Sequence, residues 1–586
     1  MQKNNRQSAP SATFQRISTM FIWVTLGVFV ATMNISKIAG DDDVFWHLAT
    51  GRWIVQHQTV PSTDVFSFPI QSQQWIPFEW GWDVLTYLLY SITNSYVPLY
   101  VLVICVWLGI CSLLMSTMRR MNISTPTIVL TLLFVLFTSY DRMTLRPHVI
   151  SLLGLSAVVF CYMKFRYGNV RTFSTLFWLP AIFLIWANMH PGVLSGVFLL
   201  LLIAFSETGL TFLKRLSSSL PPLDRTVLLK VIGVFLGSIL IMLINPHGIN
   251  TFFYVYSHAQ MKLLTVIIEW MPPFSGASEN TTLTLYKVTL GLSLLSLLLL
   301  VKKRNVLLAI LIIGFGLYSL RAVRFIADFA IISSFSISLG LDYLIHRVKT
   351  IAAFLRSKLT AVLFIVLIAW MSYSIVDGSL YTWLNVYRHF GVGIDERFFP
   401  KKLIDFLNSH NIRGRPFNQL EVGGYLMWER PEEQNFIDSR NLSDSLGKEY
   451  YWVLELHPGF EERLSTHEVD YIVLYLFELT RDPKSMGRTP IPYLTYRHDI
   501  WKLVYWDDLS FVYLKDTPKF RPIVAEYEYK VLNPFLFSYN KRMFDSLRTI
   551  YPEDFQRELQ RKFREEPNGF ITNLFVSYSQ NVLRKQ

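Results

Sequence analysis

Long apolar runs alternate with short polar segments through the first two-thirds of the chain. A membrane-spanning helix needs roughly 20 consecutive apolar residues, and about eleven runs approach or reach this length. The runs lie near 18–38, 97–117, 125–140, 148–165, 174–189, 192–212, 227–245, 283–301, 304–320, 325–346 and 359–379. The third, fifth and ninth are short. The pattern predicts a polytopic α-helical membrane protein with about 11 transmembrane helices.

Composition supports this class of protein. The chain is 52% hydrophobic and only 17% charged, whereas soluble domains carry about 25% charged residues. The net charge of +12 would suit a nucleic-acid-binding protein, but polytopic proteins also gather Lys and Arg in their cytoplasmic loops. We therefore expect membrane lipids as partners and no nucleic acid. The three cysteines lie in apolar runs, which argues against a disulfide framework or a cysteine metal site.

Basic residues are distributed unevenly between the two sets of connections. If the N-terminus is cytoplasmic, the inner side carries Lys3, Arg6, Arg16, Arg119, Arg120, Lys164, Arg166, Arg171, Lys214, Arg215, Arg225, Lys230, Lys302, Lys303, Arg304, Arg347, Lys349, Arg356 and Lys358. This positive-inside pattern predicts the orientation. Residues 1–17 form a cytoplasmic N-terminus and 18–379 a transmembrane domain. An odd number of spans then places the loop at 39–83 and the tail at 380–586 outside.

The tail at 380–586 has the pattern of a soluble α/β domain that ends in helices. Helical spacing appears in PKKLIDFLNSHNI, and the short runs RPFNQ, GGYLMWE, QNFID and DYIVLYL favour strands. Gly423–Gly424 is expected to form a tight turn. Residues 501–516 predict a hairpin with Asp507 and Asp508 at its turn, and from about 520 onward the pattern is helical.

The loop at 39–83 carries more chemistry than a connection between two helices needs. Its start, DDDVFWHLATGRW, places Asp43 and His47 four residues apart on a predicted amphipathic helix. Three interpretations stay open. A carboxylate there acts as general base on an acceptor hydroxyl, or Asp43 and His47 help to hold a divalent cation that neutralises a phosphate leaving group, or one aspartate caps the helix.

Two other residues of this loop stand out. Glu79, in PFEWGWD, begins a second predicted interfacial helix. It is either an active-site acid or a first-turn residue that complements the helix dipole. Arg52 is expected to lie at the membrane interface with its charged end in water.

Basic residues recur at the outer ends of two spans. They are Arg142, Arg146 and His148 in YDRMTLRPH, and Arg321 and Arg324 before the tenth span. Guanidinium donors form a fork that matches phosphate. Arg146, with His148, is therefore expected to contact a lipid-linked phosphate, and Arg321 and Arg324 offer a second clamp. Pairing of Asp141 with Arg142 is the structural alternative.

Three outer blocks add further polar side chains. WANMHPG, INPHG and IIEWMPPF contain His190, His247 and Glu269. Turn chemistry accounts for the neighbouring Pro and Gly, so each histidine is either structural or a substrate contact. Glu269, beside Trp270, is expected to contact sugar. Because ionisable groups at membrane depth are costly and these gather on one side, they predict one site.

These blocks together resemble the GT-C superfamily of polytopic membrane glycosyltransferases, and more closely a bacterial branch of it. The resemblance rests on the loop block DDDVFWHLATGRWIVQH with VPSTDVFSF and FEW, and on WANMHPG, NPHG, IIEWMPP, GGYLMW and FIDSR. It extends from about residue 41 to about residue 455. The loop block is its most specific part.

The resemblance implies an extracytoplasmic active site, a polyprenyl-phosphate sugar donor and a catalytic acid in the first outer loop. On this chain that acid would be Asp42 or Asp43, with Glu79 as a second candidate. Such enzymes are typically inverting, and several use a divalent cation, here Mg or Mn. The family usually has a pair of acids here, whereas this sequence has three consecutive aspartates. The alignment can therefore shift by one residue, and the choice between Asp42 and Asp43 stays open.

We therefore predict transfer of a sugar from a polyprenyl-phosphate donor to a glycan, lipid or protein acceptor outside the bacterial cytoplasmic membrane. One loop aspartate would deprotonate the acceptor, since inversion needs only one base. Two alternatives share the topology: an oligosaccharyltransferase or ligase that moves a preassembled glycan, and a non-catalytic envelope polysaccharide assembly protein. A transporter would place ionisable groups at mid-membrane, whereas these lie at one outer edge.

Overall fold

The computed structural model describes residues 12–70, 73–167, 173–212, 220–276, 281–477, 479 and 482–583. The chain divides into two compact units. The membrane unit comprises Met1–Lys37 and Phe78–Gly393, and the α/β unit comprises Ile38–Pro77 and Ile394–Gln586. Most of the loop predicted at 39–83 therefore belongs to the same unit as the C-terminal residues, whereas the sequence grouped it with the spans.

The helices that precede residue 394 are α1 (Ala12–Asn34), α2 (Asp43–His57), α3 (Trp80–Thr93), α4 (Val97–Arg120), α5 (Thr125–Thr138), α6 (His148–Tyr167), α7 (Trp178–Met189), α8 (Val193–Phe212), α9 (Arg225–Leu240), α10 (Asn250–His258), α11 (Thr281–Lys302), α12 (Val306–Ser319), α13 (Ile326–Arg347), α14 (Lys349–Leu355), α15 (Lys358–Val376) and α16 (Ser379–Leu384). Among the described residues, 8 helices are long and apolar enough to cross a membrane, and three apolar helices are shorter. Together they match the predicted runs one for one, and the short ones are the third, fifth and ninth. The chain is a polytopic α-helical membrane protein, and the number of crossings stays a prediction.

Helices α6 and α13 form the interior of the membrane unit. Their apolar windows are 72% and 78% buried, against 28–50% for the other long spans. Small residues such as Ser334 and Ser338 on α13 allow neighbouring helices to approach closely. Their hydroxyls donate to the carbonyls of Ile331 (2.6 Å) and Phe335 (2.9 Å). Each hydroxyl is therefore satisfied within its own helix, and the interior needs no polar partner there.

Some of the basic residues that predict the orientation are not described by the structure, and one of them is buried. Lys3, Arg6, Arg171, Lys214 and Arg215, and the side chain of Arg16, lie outside the described residues. Arg166 is buried, and its Nε donates to the carboxylate of Glu207 at 2.7 Å. Arg166 therefore neutralises a buried acid instead of extending into a loop.

The α/β unit combines α2 with the C-terminal elements. These are β1 (Pro416–Asn418), β2 (Tyr471–Tyr475), β3 (Trp501–Trp506) and β4 (Ser510–Lys515), with α17 (Lys401–Ser409), α18 (Gly423–Glu429), α19 (Asp444–Leu454), α20 (Phe460–Thr466), α21 (Ile491–Tyr496), α22 (Arg521–Tyr527), α23 (Pro534–Tyr539), α24 (Lys541–Ile550), α25 (Pro552–Glu565) and α26 (Phe570–Leu583). The strand order is β1-β2-β4-β3. Strands β1 and β2 are parallel and the other pairs are antiparallel.

The predicted hairpin at 501–516 is confirmed as β3 and β4. Asp507 closes its turn because its carboxylate accepts from the backbone N–H groups of Leu509 (2.8 Å) and Ser510 (2.7 Å). The helix predicted at 400–412 is α17, and the helical end of the chain is also confirmed. The prediction of a soluble α/β domain ending in helices therefore holds.

Two of the predicted strands are wrong. QNFID forms no strand and makes only an isolated parallel bridge between Asn435 and Ser67: Asn435 N–H donates to Phe66 O at 2.9 Å, and Phe68 N–H donates to Asn435 O at 3.1 Å. GGYLMWE is helix α18, so Gly423 and Gly424 begin a helix and do not form a tight turn.

Glycine is required at both positions because neighbouring segments of the chain lie very close to the backbone of α18. A Cβ at Gly423 would overlap the carbonyl oxygen of Ile437 and lie 2.6 Å from Asp438 Cα. A Cβ at Gly424 would lie 2.7 Å from both the carbonyl and a carboxylate oxygen of Asp42. Only a residue without a side chain lets α18 lie against these segments.

We predict that Gly423→Ala destabilises the protein by about 1–3 kcal/mol, since the neighbouring atoms are backbone and cannot move aside. Thermal unfolding of the purified full-length protein in detergent measures the effect. The matched control is Gly209→Ala, where a Cβ would meet nothing within 4 Å. Equal unfolding temperatures for the two variants would contradict the packing argument.

Candidate active site

Two arginines and a glutamate meet at one end of the spans in the membrane unit. Arg142 ends the 3-10 turn that follows α5, and Arg146 lies just before α6. Arg142 Nη1 is 3.1 Å from a carboxylate oxygen of Glu269, and Arg146 Nη1 is 3.7 Å from the same oxygen. The side chains of Arg142, Arg146 and Glu269 are 12%, 24% and 31% exposed. The Arg146 guanidinium is thus more accessible than that of Arg142 and lies farther from Glu269.

Arg324 belongs to the same group. Its guanidinium lies 4.0 Å from the ring centroid of Trp270, the neighbour of Glu269. The backbone fixes this approach, because Val323 N–H donates to Met271 O at 2.9 Å. Burial acts to raise the pKa of Glu269, but the charges of Arg142, Arg324 and Arg146 outweigh it and hold that pKa well below its usual range. The carboxylate is therefore charged across the physiological range.

His148 and His190 are both engaged by the protein. His148 Nε2 lies 2.8 Å from the carbonyl oxygen of Arg142, so this ring supports the turn that carries the arginine. Burial, with the charges of Arg324 and Arg142, holds the pKa of His190 well below its usual range. The His190 ring is therefore neutral at physiological pH and lies close to the arginine group.

The contacts of His190 also assign its tautomer and connect it to Glu79. Gly192 N–H donates to Nδ1 at 3.0 Å, and the Ser151 hydroxyl lies 2.6 Å from the same atom. Trp186 Nε1–H donates to the Ser151 oxygen at 2.8 Å, which leaves the hydroxyl proton for His190. The ring proton is then on Nε2, 3.4 Å from the carboxylate of Glu79. Glu79, immediately before α3, makes no side-chain cap of that helix.

Asp42 and Arg52 lie in the α/β unit and bind opposite ends of α18. The Asp42 carboxylate accepts from the N–H groups of Gly424 and Tyr425, both at 2.8 Å. Arg52 donates to the carbonyls of Met427 (3.0 Å) and Trp428 (2.9 Å). Burial raises the pKa of Asp42 well above its usual range, while the two N–H groups act in the opposite direction. Arg52 therefore stabilises the C-terminal end of α18, and its predicted position at the membrane interface stays a prediction.

The sequence analysis missed a buried ion-pair network in the α/β unit. Arg440 donates to both oxygens of Asp438 (2.8 and 2.7 Å) and to Asp64 at 2.7 Å. Its guanidinium lies 4.4 Å from the ring centroid of Trp75. The residues belong to the blocks VPSTDVFSF and FIDSR, which were noted only as motifs. The sequence does not show that Arg440 pairs with Asp64, because the two residues are 376 positions apart.

Within the described ranges, no group of three or more His, Cys, Asp or Glu side chains is arranged to hold a metal ion. Asp43 is the first residue of α2. His47 is buried, with its ring centroid 3.6 Å from that of Trp46. The residues present therefore do not fit a metal centre built by the protein alone, and no step of the reaction proposed below is assigned to a cation.

The predicted site residues fall into two sets. Asp42, Asp43 and His47 lie in the α/β unit, whereas the membrane unit contains Glu79, Arg142, Arg146, His148, His190, Glu269, Arg321 and Arg324. In the second set, every residue except Arg321 is linked to the others by the ion pairs, hydrogen bonds and charge effects described above. Arg321 is exposed in the connection between α12 and α13.

Solved structures share this fold over most of the chain. The archaeal oligosaccharyltransferase AglB from Archaeoglobus fulgidus, in complex with an inhibitory peptide and a dolichol-phosphate, aligns with a TM-score of 0.54 and 12% identity over 86% of this chain and 75% of that chain. The A. fulgidus oligosaccharyltransferase tethered with an acceptor peptide containing the NVT sequon aligns with a TM-score of 0.53 and 11% identity over the same shares. These are GT-C proteins, so the predicted GT-C resemblance is confirmed for the fold. No protein-family model and no curated protein matches the sequence.

We predict that the stability difference between wild type and Glu269→Gln is largest near neutral pH and shrinks in acid. A carboxyl whose pKa is lowered by folding stabilises the protein above its unfolded pKa of about 4.3, and this stability is lost as pH falls through the folded pKa. Thermal unfolding between pH 7 and pH 3 measures the difference.

Glu468→Gln is the control for this prediction. Glu468 pairs with Arg415 at 2.7 Å, but its side chain is 76% exposed, and such surface pairs contribute little. A difference between wild type and Glu269→Gln that does not change with pH would contradict the lowered pKa.

Proposed function

We propose that this chain is an inverting membrane glycosyltransferase. It takes a sugar from a polyprenyl-phosphate donor and passes it to a glycan, lipid or protein acceptor outside the bacterial cytoplasmic membrane. The observation that carries the proposal is the group of Arg142, Arg146 and Arg324 at one end of the spans of a GT-C fold. The solved neighbours were obtained with a dolichol-phosphate and with an acceptor peptide, ligands of the same two classes.

The donor phosphate is assigned to the arginine group. In the reaction the bond between the anomeric carbon and the phosphate oxygen breaks, and the polyprenyl phosphate leaves with the electron pair. Guanidinium groups that donate to this oxyanion lower the barrier, because they meet charge that develops in the transition state. Arg146 is the best candidate for direct contact, since it is more exposed than Arg142 and lies farther from Glu269.

The base is assigned to Asp43. It accepts the proton of the acceptor hydroxyl as the new bond to the anomeric carbon forms. Asp42 is less suited because both of its carboxylate oxygens accept N–H bonds from α18. Glu79 is the second candidate, since the neutral His190 orients its carboxylate.

Transfer of a preassembled glycan is the second candidate function. It is favoured by the fold shared with an oligosaccharyltransferase at a TM-score of 0.54. Mass spectrometry of cell-surface glycans distinguishes the two, because a monosaccharide transferase adds one sugar-sized increment and a ligase adds many at once. A non-catalytic assembly protein is distinguished by its tolerance of substitutions at Asp43 and Glu79.

We predict that Arg146→Ala weakens binding of polyprenyl phosphate to the purified protein roughly 10- to 100-fold, the loss expected for a charged hydrogen bond. Binding is titrated in detergent at constant ionic strength. The control is Lys262→Ala, which removes an exposed cation from the segment that leads to Glu269. Equal weakening by both variants would show a non-specific charge effect and contradict the assignment.

We predict that Asp43→Asn lowers the rate of sugar transfer roughly 10²- to 10⁴-fold, the usual contribution of a general base. Asp42→Asn should lower the unfolding temperature, because it weakens the anchor of α18. Mass spectrometry of glycans and lipid-linked sugars in the native host, at matched protein levels, measures transfer. Asp41→Asn is the neighbouring control. Full activity of both Asp43→Asn and Glu79→Gln would overturn the catalytic proposal.

A further inference from the structure

A cavity lies in the membrane unit beside α1, at the starts of α5 and α15. Its volume is about 290 Å³, and its lining includes Arg356 and Lys358. It opens at the end of α5 opposite to Arg142. Since α5 has 14 residues and a helix rises 1.5 Å per residue, the two ends are about 21 Å apart. The cavity is therefore separate from the candidate active site.

The polar wall of the cavity suits an anion. Arg356 and Lys358 contribute two cations, and the lining also contains Ser124 and Ser357, the residues that precede α5 and α15. These helices have 14 and 19 residues, so both direct the positive ends of their dipoles toward this region. Among the described residues that line the cavity, none is acidic.

Asp342, which bonds to the lining residue Ser124, is already used by the protein. Asp342 accepts from the N–H (3.1 Å) and hydroxyl (2.6 Å) of Ser124 and from the hydroxyl of Thr127 (3.0 Å). His346, four residues along α13, contacts both Asp342 (3.4 Å) and Arg356. Asp342 therefore lies behind Ser124 and orders this wall, and it does not occupy the cavity.

The lining also contains apolar side chains. They are Ile22, Val129, Leu355 and Phe364. A volume of about 290 Å³ is near the lower limit of small-molecule pockets, roughly 300 Å³, so it accommodates a headgroup and not a whole lipid. A lining that combines two cations with apolar side chains at the end of the spans matches a phosphate that carries hydrocarbon.

We propose that this cavity binds the phosphate headgroup of an anionic membrane lipid. Basic pockets between transmembrane helices on the cytoplasmic side bind such headgroups, and the positive-inside pattern predicts that this end of the bundle is cytoplasmic. Inorganic phosphate shares the charged chemistry but not the apolar contact. The lipid gains both, and its acyl chains extend from Ile22 and Phe364 into the bilayer.

The test uses the full-length protein in phosphatidylcholine nanodiscs that contain increasing phosphatidylglycerol. Native mass spectrometry counts the phosphatidylglycerol molecules that remain bound. The double variant Arg356→Ala/Lys358→Ala should lower the apparent affinity at least roughly 10-fold, as expected for lost charged hydrogen bonds. The control Arg347→Ala/Lys349→Ala removes the same charge from exposed residues of the same connection, outside the cavity lining.

A second variant removes the space and keeps the charges. Ala361, which lines the cavity, is replaced in Ala361→Phe, and this variant should also lose the bound lipid while it elutes as a folded monodisperse protein. Equal retention of phosphatidylglycerol by wild type and both cavity variants would overturn the proposal. Inorganic phosphate is titrated calorimetrically into phosphatidylcholine nanodiscs. Binding of phosphate as tight as that of the lipid would show a free-anion site and overturn the lipid assignment, whereas weaker or absent binding supports it.

Discussion

The cost of placing charge in hydrocarbon governs the membrane unit. In its interior helices, α6 and α13, the hydroxyls of Ser156, Ser334 and Ser338 donate to carbonyls of their own helix. The arginines that the proposed chemistry needs lie at helix ends, where Glu269 compensates them in part. This carboxylate lies closer to Arg142 than to Arg146, and Arg146 is the more exposed of the two arginines.

Histidines near this group act as supports. His148 bonds to the carbonyl of Arg142, and His190 is bonded through both ring nitrogens. Low pKa keeps His190 neutral beside the arginines, so it adds no further positive charge where the cations already repel one another. The effect is to hold Glu79 and the arginine turn in place.

Helix α18 is the binding partner of Asp42, one of the three consecutive aspartates. Asp42 binds the N-terminal N–H groups of α18 and Arg52 binds its C-terminal carbonyls. Each charge opposes the sign of the helix dipole at that end. One of the three acids, Asp42, is thereby committed to structure.

The sequence by itself determined the spans, the hairpin at 501–516 and the candidate arginines, because these depend on local rules. A helix in lipid must satisfy its own backbone over a fixed length, and a strand alternates along its own residues. Only the tertiary structure decided that Glu269 pairs with Arg142, 127 positions away, that Arg440 joins Asp64, and that Gly423 begins a helix. Such pairings depend on which surfaces pack together, and periodicity along one chain does not record that.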